Sequence, residues 1–318
     1  MATTLVTGGL GYLGRYVVGE LRDHGGEVVS YNRDFWGEAT PGVHYVQGEL
    51  LDIPRLVQTI ERFGVARVIH TAAMSHPELS VELPITTFAA NVDGTLHVLE
   101  ATRLGGVRRI VSFSSECAYG NRREPLVTED CRLEPTTPYG VTKVTGELLA
   151  RAYNARYGFD ITSLRVTEVY GPGNRMPQYL CELIDAAVDG RTYRLAAGAD
   201  HRFQFVHVRD VAHAAVLACE VASLPLEAYN ITGGSQVTLG EAAATVARLV
   251  PGGRFEIGPG HLDLDRQGRW DISAAERDFG YRPQWTIEPG IEDYVAWRQG
   301  RRTPTGAARP CARAGSPS

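Results

Sequence analysis

Residues 3–14 read Thr-Thr-Leu-Val-Thr-Gly-Gly-Leu-Gly-Tyr-Leu-Gly, and no other stretch constrains the fold as tightly. Residues 4–7 form a β-branched, apolar run suited to a buried strand. Gly8, Gly11 and Gly14 then mark a turn, and residues 15–22 place Tyr16, Val17, Val18 and Leu21 at helical spacing. A strand that enters a glycine turn and opens a helix leaves free N–H groups at the helix start, where a pyrophosphate can sit. In that context the spacing Gly-x-x-Gly-x-x-Gly points to a dinucleotide-binding unit.

The rest of the first half repeats the alternation. Strands are expected at 27–31, 44–47, 67–70, 109–113 and 160–166, and helices at 53–63, 90–104 and 139–157, with Pro54 in a first turn where a missing N–H is harmless. Such alternation predicts an α/β fold, a doubly wound parallel Rossmann sheet whose ligands bind outside the carboxyl ends of its strands. The polar and glycine-rich clusters do follow strands. From Arg175 the rhythm loosens into a helix at 178–189, a strand at 202–208, a strand at 229–231 and a helix at 239–249. The expected division is an NAD(P)-binding Rossmann domain at 1–172, which also receives about 203–232, and a smaller C-terminal substrate-binding lobe at 173–202 and 233–298. Residues 299–318, rich in Pro, Gly, Ala and Arg, read as a disordered tail.

A net charge of −5 gives no basic field for nucleic acid or an anionic lipid surface. No run approaches the roughly 20 apolar residues of a membrane span. A strand beginning at residue 3 leaves no room for a signal peptide. Cys117, Cys131, Cys181, Cys219 and Cys311 are widely spaced without C-x-x-C, as expected of reduced thiols in a cytoplasmic protein. His70, His76, His201, His207 and His213 lack ligand spacing, so no metal is expected. Of these, His207 reads as a packed strand residue, while His76 could touch substrate. Trp36, Trp270, Trp285 and Trp297 read as packing residues.

The chemistry concentrates at Tyr139 and Lys143, which share one helix face at i and i+4, with Ser115 at the end of a neighbouring strand. A tyrosine is a poor base at neutral pH, and a nearby ammonium would favour its phenolate. This set can move a proton to or from a carbinol oxygen while a nicotinamide takes or gives hydride. Asn32 stands where a ribose-binding acid is expected, and Arg33 beside it could meet a 2′-phosphate or simply lie exposed. The choice between NAD and NADP thereby tilts toward NADP.

With these residues in place the chain resembles the extended short-chain dehydrogenase/reductases, the NAD-dependent epimerase/dehydratase family, over roughly residues 3–298. The resemblance rests on Thr7 through Gly14, on Val68-Ile-His-Thr-Ala-Ala73, on Asn91-Val-Asp-Gly-Thr95 and on Ser114-Ser115 through Tyr119-Gly120. Phe205-Val-His-Val-Arg-Asp210 and Tyr229-Asn-Ile-Thr-Gly-Gly234 extend it. It implies Ser115, Tyr139 and Lys143 as the catalytic set, with Lys143 also on the nicotinamide ribose. It further implies Gly8, Gly11, Tyr12, Leu13, Gly14, Asn91 and Tyr139 at the cofactor, Glu49 and Leu50 by the adenine, and Ala72, Ala73 and Met74 along the cofactor channel. A homodimer through helices at about 91–104 and 139–157 is implied as well.

The segment containing Ser75 and His76 is similar to nucleotide-sugar enzymes, with Glu116, Glu168, Arg175 and Arg202 as further substrate candidates. Three positions depart from the family pattern. Glu116-Cys117 replaces the Asp-Glu pair of sugar dehydratases, removing the usual base for elimination. Glu168 stands for Asn and Phe203 for Arg, both of which serve a diphosphate, while Arg202 is one residue off and points to the opposite strand face. The expected function is an NAD(P)-dependent oxidoreductase or epimerase at a secondary alcohol or ketone of a sugar-like substrate. The alternative is a dehydrogenase or ketoreductase of a small molecule without a nucleotide. A sugar-nucleotide dehydratase and a non-catalytic cofactor sensor rank below both.

Overall fold

The computed structural model describes residues 2–34 and 40–300. Trp36, Cys311 and the tail from 301 onward lie outside the described residues.

Seven strands form one parallel sheet: β1 (Thr3–Thr7), β2 (Val28–Asn32), β3 (Val43–Gln47), β4 (Val65–His70), β5 (Arg109–Ser115), β6 (Asp160–Val166) and β7 (Ala228–Ile231). Their order is β7-β6-β5-β4-β1-β2-β3. Every residue of β1 and β2 is buried, as a parallel sheet covered on both faces requires. One face packs Val17 and Leu21 of helix Tyr12–Asp23 with Val211 and Ala215 of helix Val208–Glu220. The other packs Leu56 and Ile60 of helix Ile53–Phe63, Val98 and Leu99 of helix Gly94–Leu104, and Ala150 and Tyr153 of helix Pro138–Tyr157. The strand order reverses between β1 and β4, which opens a crevice at their carboxyl ends.

Local chemistry sets the helix bounds. Asp52 caps helix Ile53–Phe63 by accepting from Arg55 N, and Gly64 ends it in the left-handed conformation. Thr137 caps helix Pro138–Tyr157 in the same way through Gly140 N, and Gly158 closes it. The expected helix at 90–104 is more broken than its periodicity suggests. Short helices Pro77–Glu82 and Pro84–Phe88 lead into a π-turn at Ala89–Asp93 before helix Gly94–Leu104. The expected strand at 202–208 also divides. Arg202–Phe203 pairs antiparallel with Val237–Thr238, and Phe205–His207 runs parallel to Glu168–Tyr170. Gln204 separates them, accepting from Trp270 N at 2.8 Å and donating to Gly268 O at 3.2 Å.

Beyond β6, Leu180, Ile184, Phe203, Phe205, Leu239, Val246 and Ile291 gather into a separate apolar cluster. Trp270 is buried edge-on against Tyr119, and Trp285 stacks on His207, which is fully buried as expected. Trp297 packs edge-on against Tyr294, ring centres 5.4 Å apart, and remains 41% exposed. Cys117, Cys131, Cys181 and Cys219 are free thiols. No helix among the described residues is long and apolar enough to cross a membrane.

A buried ion pair joins the sheet to the helix that carries Tyr139. Arg165 on β6 donates to both carboxylate oxygens of Glu147, at 3.0 and 2.7 Å, and to Tyr119 Oη at 2.7 Å. Removing one partner of such a pair leaves a buried charge uncompensated. Arg165→Met should therefore lower stability by about 3–5 kcal/mol in urea unfolding; a loss below about 1 kcal/mol would show that the pair is not needed.

Candidate active site

The crevice is built where β1 and β4 end. Thr7 Oγ1 meets His70 Nδ1 at 2.7 Å, and His70 Nε2 meets Thr95 Oγ1 at 3.1 Å. Burial, with the Lys143 charge adding to it, pushes His70 down to about 3, so it stays neutral and acts as a tie. Gly8 has φ +71°, and a Cβ there would lie 2.9 Å from Ala72 Cα. A Cβ on Gly14 would run into the Gly8 carbonyl oxygen. Helix Tyr12–Asp23 starts at Gly11 without a side-chain cap, leaving its first N–H groups for another acceptor. This cradle fits the pyrophosphate of a dinucleotide.

Several expected cofactor residues are also engaged within the chain. Asn32 accepts from Leu10 N at 2.8 Å and donates to Ser30 Oγ at 2.9 Å, so it braces the turn from behind. Arg33 is exposed and pairs with Asp34 at 3.1 Å. Asn91 accepts from Met74 N at 2.8 Å and donates to Met74 O and Thr142 Oγ1, both at 3.0 Å. Its amide is spent inside the chain, in a π-turn of the kind often found beside functional sites. Tyr12 turns its hydroxyl to Gly171 O at 3.2 Å, and Leu13 packs on the sheet core. Glu49 is exposed, while Leu50 packs on the helix 53–63 side of the sheet. Ala72 and Ala73 line a cavity with Thr71, Phe113 and Lys143.

Ser115, Tyr139 and Lys143 do come together. Ser115 ends β5, its Oγ accepting from Cys117 N at 3.2 Å, and its hydroxyl lies near enough to the Tyr139 phenol to favour its ionised form. Tyr139 is fixed by its own N–H, which donates to Ser80 Oγ at 3.0 Å. Lys143 Nζ donates to Phe113 O at 2.9 Å and lies 5.4 Å from the Tyr139 ring centre. Burial raises the Tyr139 pKa, with Cys117 adding to it and Ser115 opposing it. Burial lowers Lys143 to about 8. The expected phenolate is thus not favoured by the protein alone, because burial is the largest influence on both groups, holding the phenol protonated and easing the proton off Lys143.

The substrate candidates divide. Glu116 and Glu168 touch each other beside Ser115, and burial raises both carboxyls. His76 faces Glu168 and accepts from Leu79 N with Nδ1 at 3.2 Å. Ser75 and Arg175 are exposed. Arg202 is exposed with its charge near Glu241, so it is not brought to the acid pair. Phe203 lies in an aromatic cluster, stacked on Phe205 at 5.2 Å and against Tyr179 at 5.4 Å. Three further residues carry no signal in their sequence spacing. Gln178 faces Glu168, the Asp265 charge acts on Glu116, and Gln267 Nε2 donates to Glu116 O at 3.0 Å and Gly120 O at 2.9 Å.

Residues 4–232 match the model of the NAD dependent epimerase/dehydratase family, and the chain belongs to that family. It is 26% identical to UDP-glucuronate 4-epimerase 2 of Arabidopsis thaliana, over 94% of this chain and 76% of that protein. It is 27% identical to dTDP-glucose 4,6-dehydratase of Streptomyces griseus, over 94% of each. Among solved structures it resembles MoeE5 in complex with UDP-glucuronic acid and NAD, with a TM-score of 0.85 and 29% identity over 94% of this chain and 99% of that one. MoeE5 has also been solved with UDP-glucose and NAD.

Tyr139→Phe should cut turnover by about 10²–10⁴ while cofactor binding, followed by fluorescence titration, stays near wild type. Undiminished turnover would sink the assignment. Lys143 binds a proton less readily folded than unfolded, so its burial costs stability below pH about 8, a cost that fades toward the ordinary 10.5. In cofactor-free protein Lys143→Met should raise Tm by a few degrees at pH 7, and the gain should shrink as pH rises through that window.

Proposed function

We propose that this member of the family is an NAD-dependent nucleotide-sugar epimerase, with Ser115, Tyr139 and Lys143 as its catalytic residues. The observation that carries the reading is the convergence of Ser115, Tyr139 and Lys143 at the strand ends next to the glycine cradle. When bound, the nicotinamide supplies a hydride acceptor and, later in the same turnover, a hydride donor. Tyr139 Oη takes the carbinol proton as the C–H bond gives up its hydride and a ketone forms. Ser115 Oγ steadies the substrate oxygen, and a charged Lys143 favours the phenolate. Tyr139 would give that proton back to the same oxygen when the carbonyl is reduced from its other face, which would invert the carbon with no net oxidation.

NAD rather than NADP is supported by the MoeE5 complexes and by the engagement of Arg33 with Asp34. The lean toward NADP finds no support. A substrate without a nucleotide also gives way, because Phe203 belongs to the aromatic core and the relatives are named for nucleotide sugars. Elimination is disfavoured by Cys117, whose thiol is pushed up by burial and by the Glu116 charge, making it a poor base.

The reading includes a homodimer. Val81, Leu83, Ile85 and Phe88 are exposed on short helices that pack beside helix Pro138–Tyr157, which itself exposes Val141 and Leu148. Side by side, these residues form the kind of apolar surface that a partner covers.

Three measurements test the proposal. Denatured protein should release NAD, identified by mass, and the native protein should bind UDP in calorimetry; absence of UDP binding would remove the nucleotide-sugar reading. Ile85→Asp with Leu148→Asp should shift sedimentation from dimer to monomer, and an unchanged dimer would place the interface elsewhere.

A further inference from the structure

Glu116 and Glu168 come from separate elements, the short 3₁₀ turn after β5 and the strand Glu168–Tyr170, and meet beside Ser115. Their surroundings are lopsided. Asp265 adds to the negative side, the Cys117 thiol and the Tyr139 and Tyr179 phenols are neutral, and His76 is the group whose charge acts favourably on Glu168. Among the described residues, no Arg or Lys is one of the main charges that act on either carboxyl.

Gln178 supplies an independent observation. It is 7% exposed, and its Oε1 is taken by Cys181 N at 2.9 Å. Its Nε2 therefore faces Glu168, without closing a hydrogen bond among the described residues. A buried donor and a pair of carboxyls around one point suit a group that both accepts and donates, which is a hydroxyl.

We propose that Glu116 and Glu168 act together as a specificity determinant that accepts a neutral hydroxymethyl or hydroxyl group next to the reacting carbon and rejects a carboxylate there. The inference rests on the nucleotide-sugar reading above. In a 4-epimerase the reacting carbinol is C4, and the uronate carboxylate is carried by the adjacent C5. With C4 held by Ser115 and Tyr139, the C5 substituent falls within reach of Glu116, the next residue in the chain. Two carboxyls pressed together in a partly buried site share a proton, so the pair can donate to a hydroxyl while its remaining charge opposes a further anion. An anion beside it is repelled with little solvent to screen the charge.

The test is calorimetric binding of UDP, UDP-glucose and UDP-glucuronate to NAD-loaded protein at pH 8, with Glu116→Gln and Glu168→Gln alongside wild type. Wild type should bind UDP-glucose at least about tenfold tighter than UDP-glucuronate, and each variant should narrow the gap. Equal binding of the two sugars by wild type would overturn the proposal alone, even if the variants fail to fold. A gap that survives in both variants would overturn it too. Failure to bind UDP at all would overturn the nucleotide-sugar reading, and this proposal with it.

Discussion

Desolvation at the carboxyl ends of β1, β4 and β5 is the constraint on which the site depends. The backbone at Gly8 passes so close to Ala72 that no side chain fits between them. His70 then bridges Thr7 and Thr95 as a neutral ring. Because these strand ends lie largely within protein, charge on any group nearby is expensive. His70 and Lys143 are pushed down, while Tyr139, Glu116 and Glu168 are pushed up. All five move toward their neutral forms.

That shared direction explains how a weak base can be held ready. A phenol that resists ionising in the crevice gains most from a positive charge brought in beside it. The positive nicotinamide of an oxidised dinucleotide is such a charge, and the uncapped helix start at Gly11 provides its pyrophosphate with a place. The protein's own contribution is to hold positions. Ser80 fixes the Tyr139 backbone, Phe113 O holds Lys143, and Asn91 ties Met74 to Thr142.

Local rules make part of this legible in the sequence. The glycine turn is read from a strand and a helix that touch it in the chain, and Tyr139 and Lys143 from i, i+4 spacing. Ser115 follows from the rule that function gathers at strand ends. What is not legible depends on distant contacts. Asn32 reads as a ribose ligand from its position alone, which hides the Leu10 N–H that claims it. Gln178 and Asp265 reach the acid pair from elements far along the chain. The strand at 202–208 reads as continuous because the Trp270 N–H that engages Gln204 is also remote.

The link between the cofactor cradle and the substrate acids is equally non-local. Tyr12 Oη donates to Gly171 O at 3.2 Å, Tyr16 Oη to Pro172 O at 2.8 Å and Arg15 Nη2 to Gly173 O at 2.8 Å. One helix, opened by the glycine turn, thereby grips three successive carbonyls just beyond Glu168–Tyr170. That strand is in turn paired with Phe205–His207. Glu168 is consequently registered to the same helix whose N-terminus fits the pyrophosphate. The spacing between the glycine cradle and Glu168 is thereby set by these hydrogen bonds together with the apolar cluster around Leu180 and Leu239, which Tyr170 and Phe205 of the paired strands join.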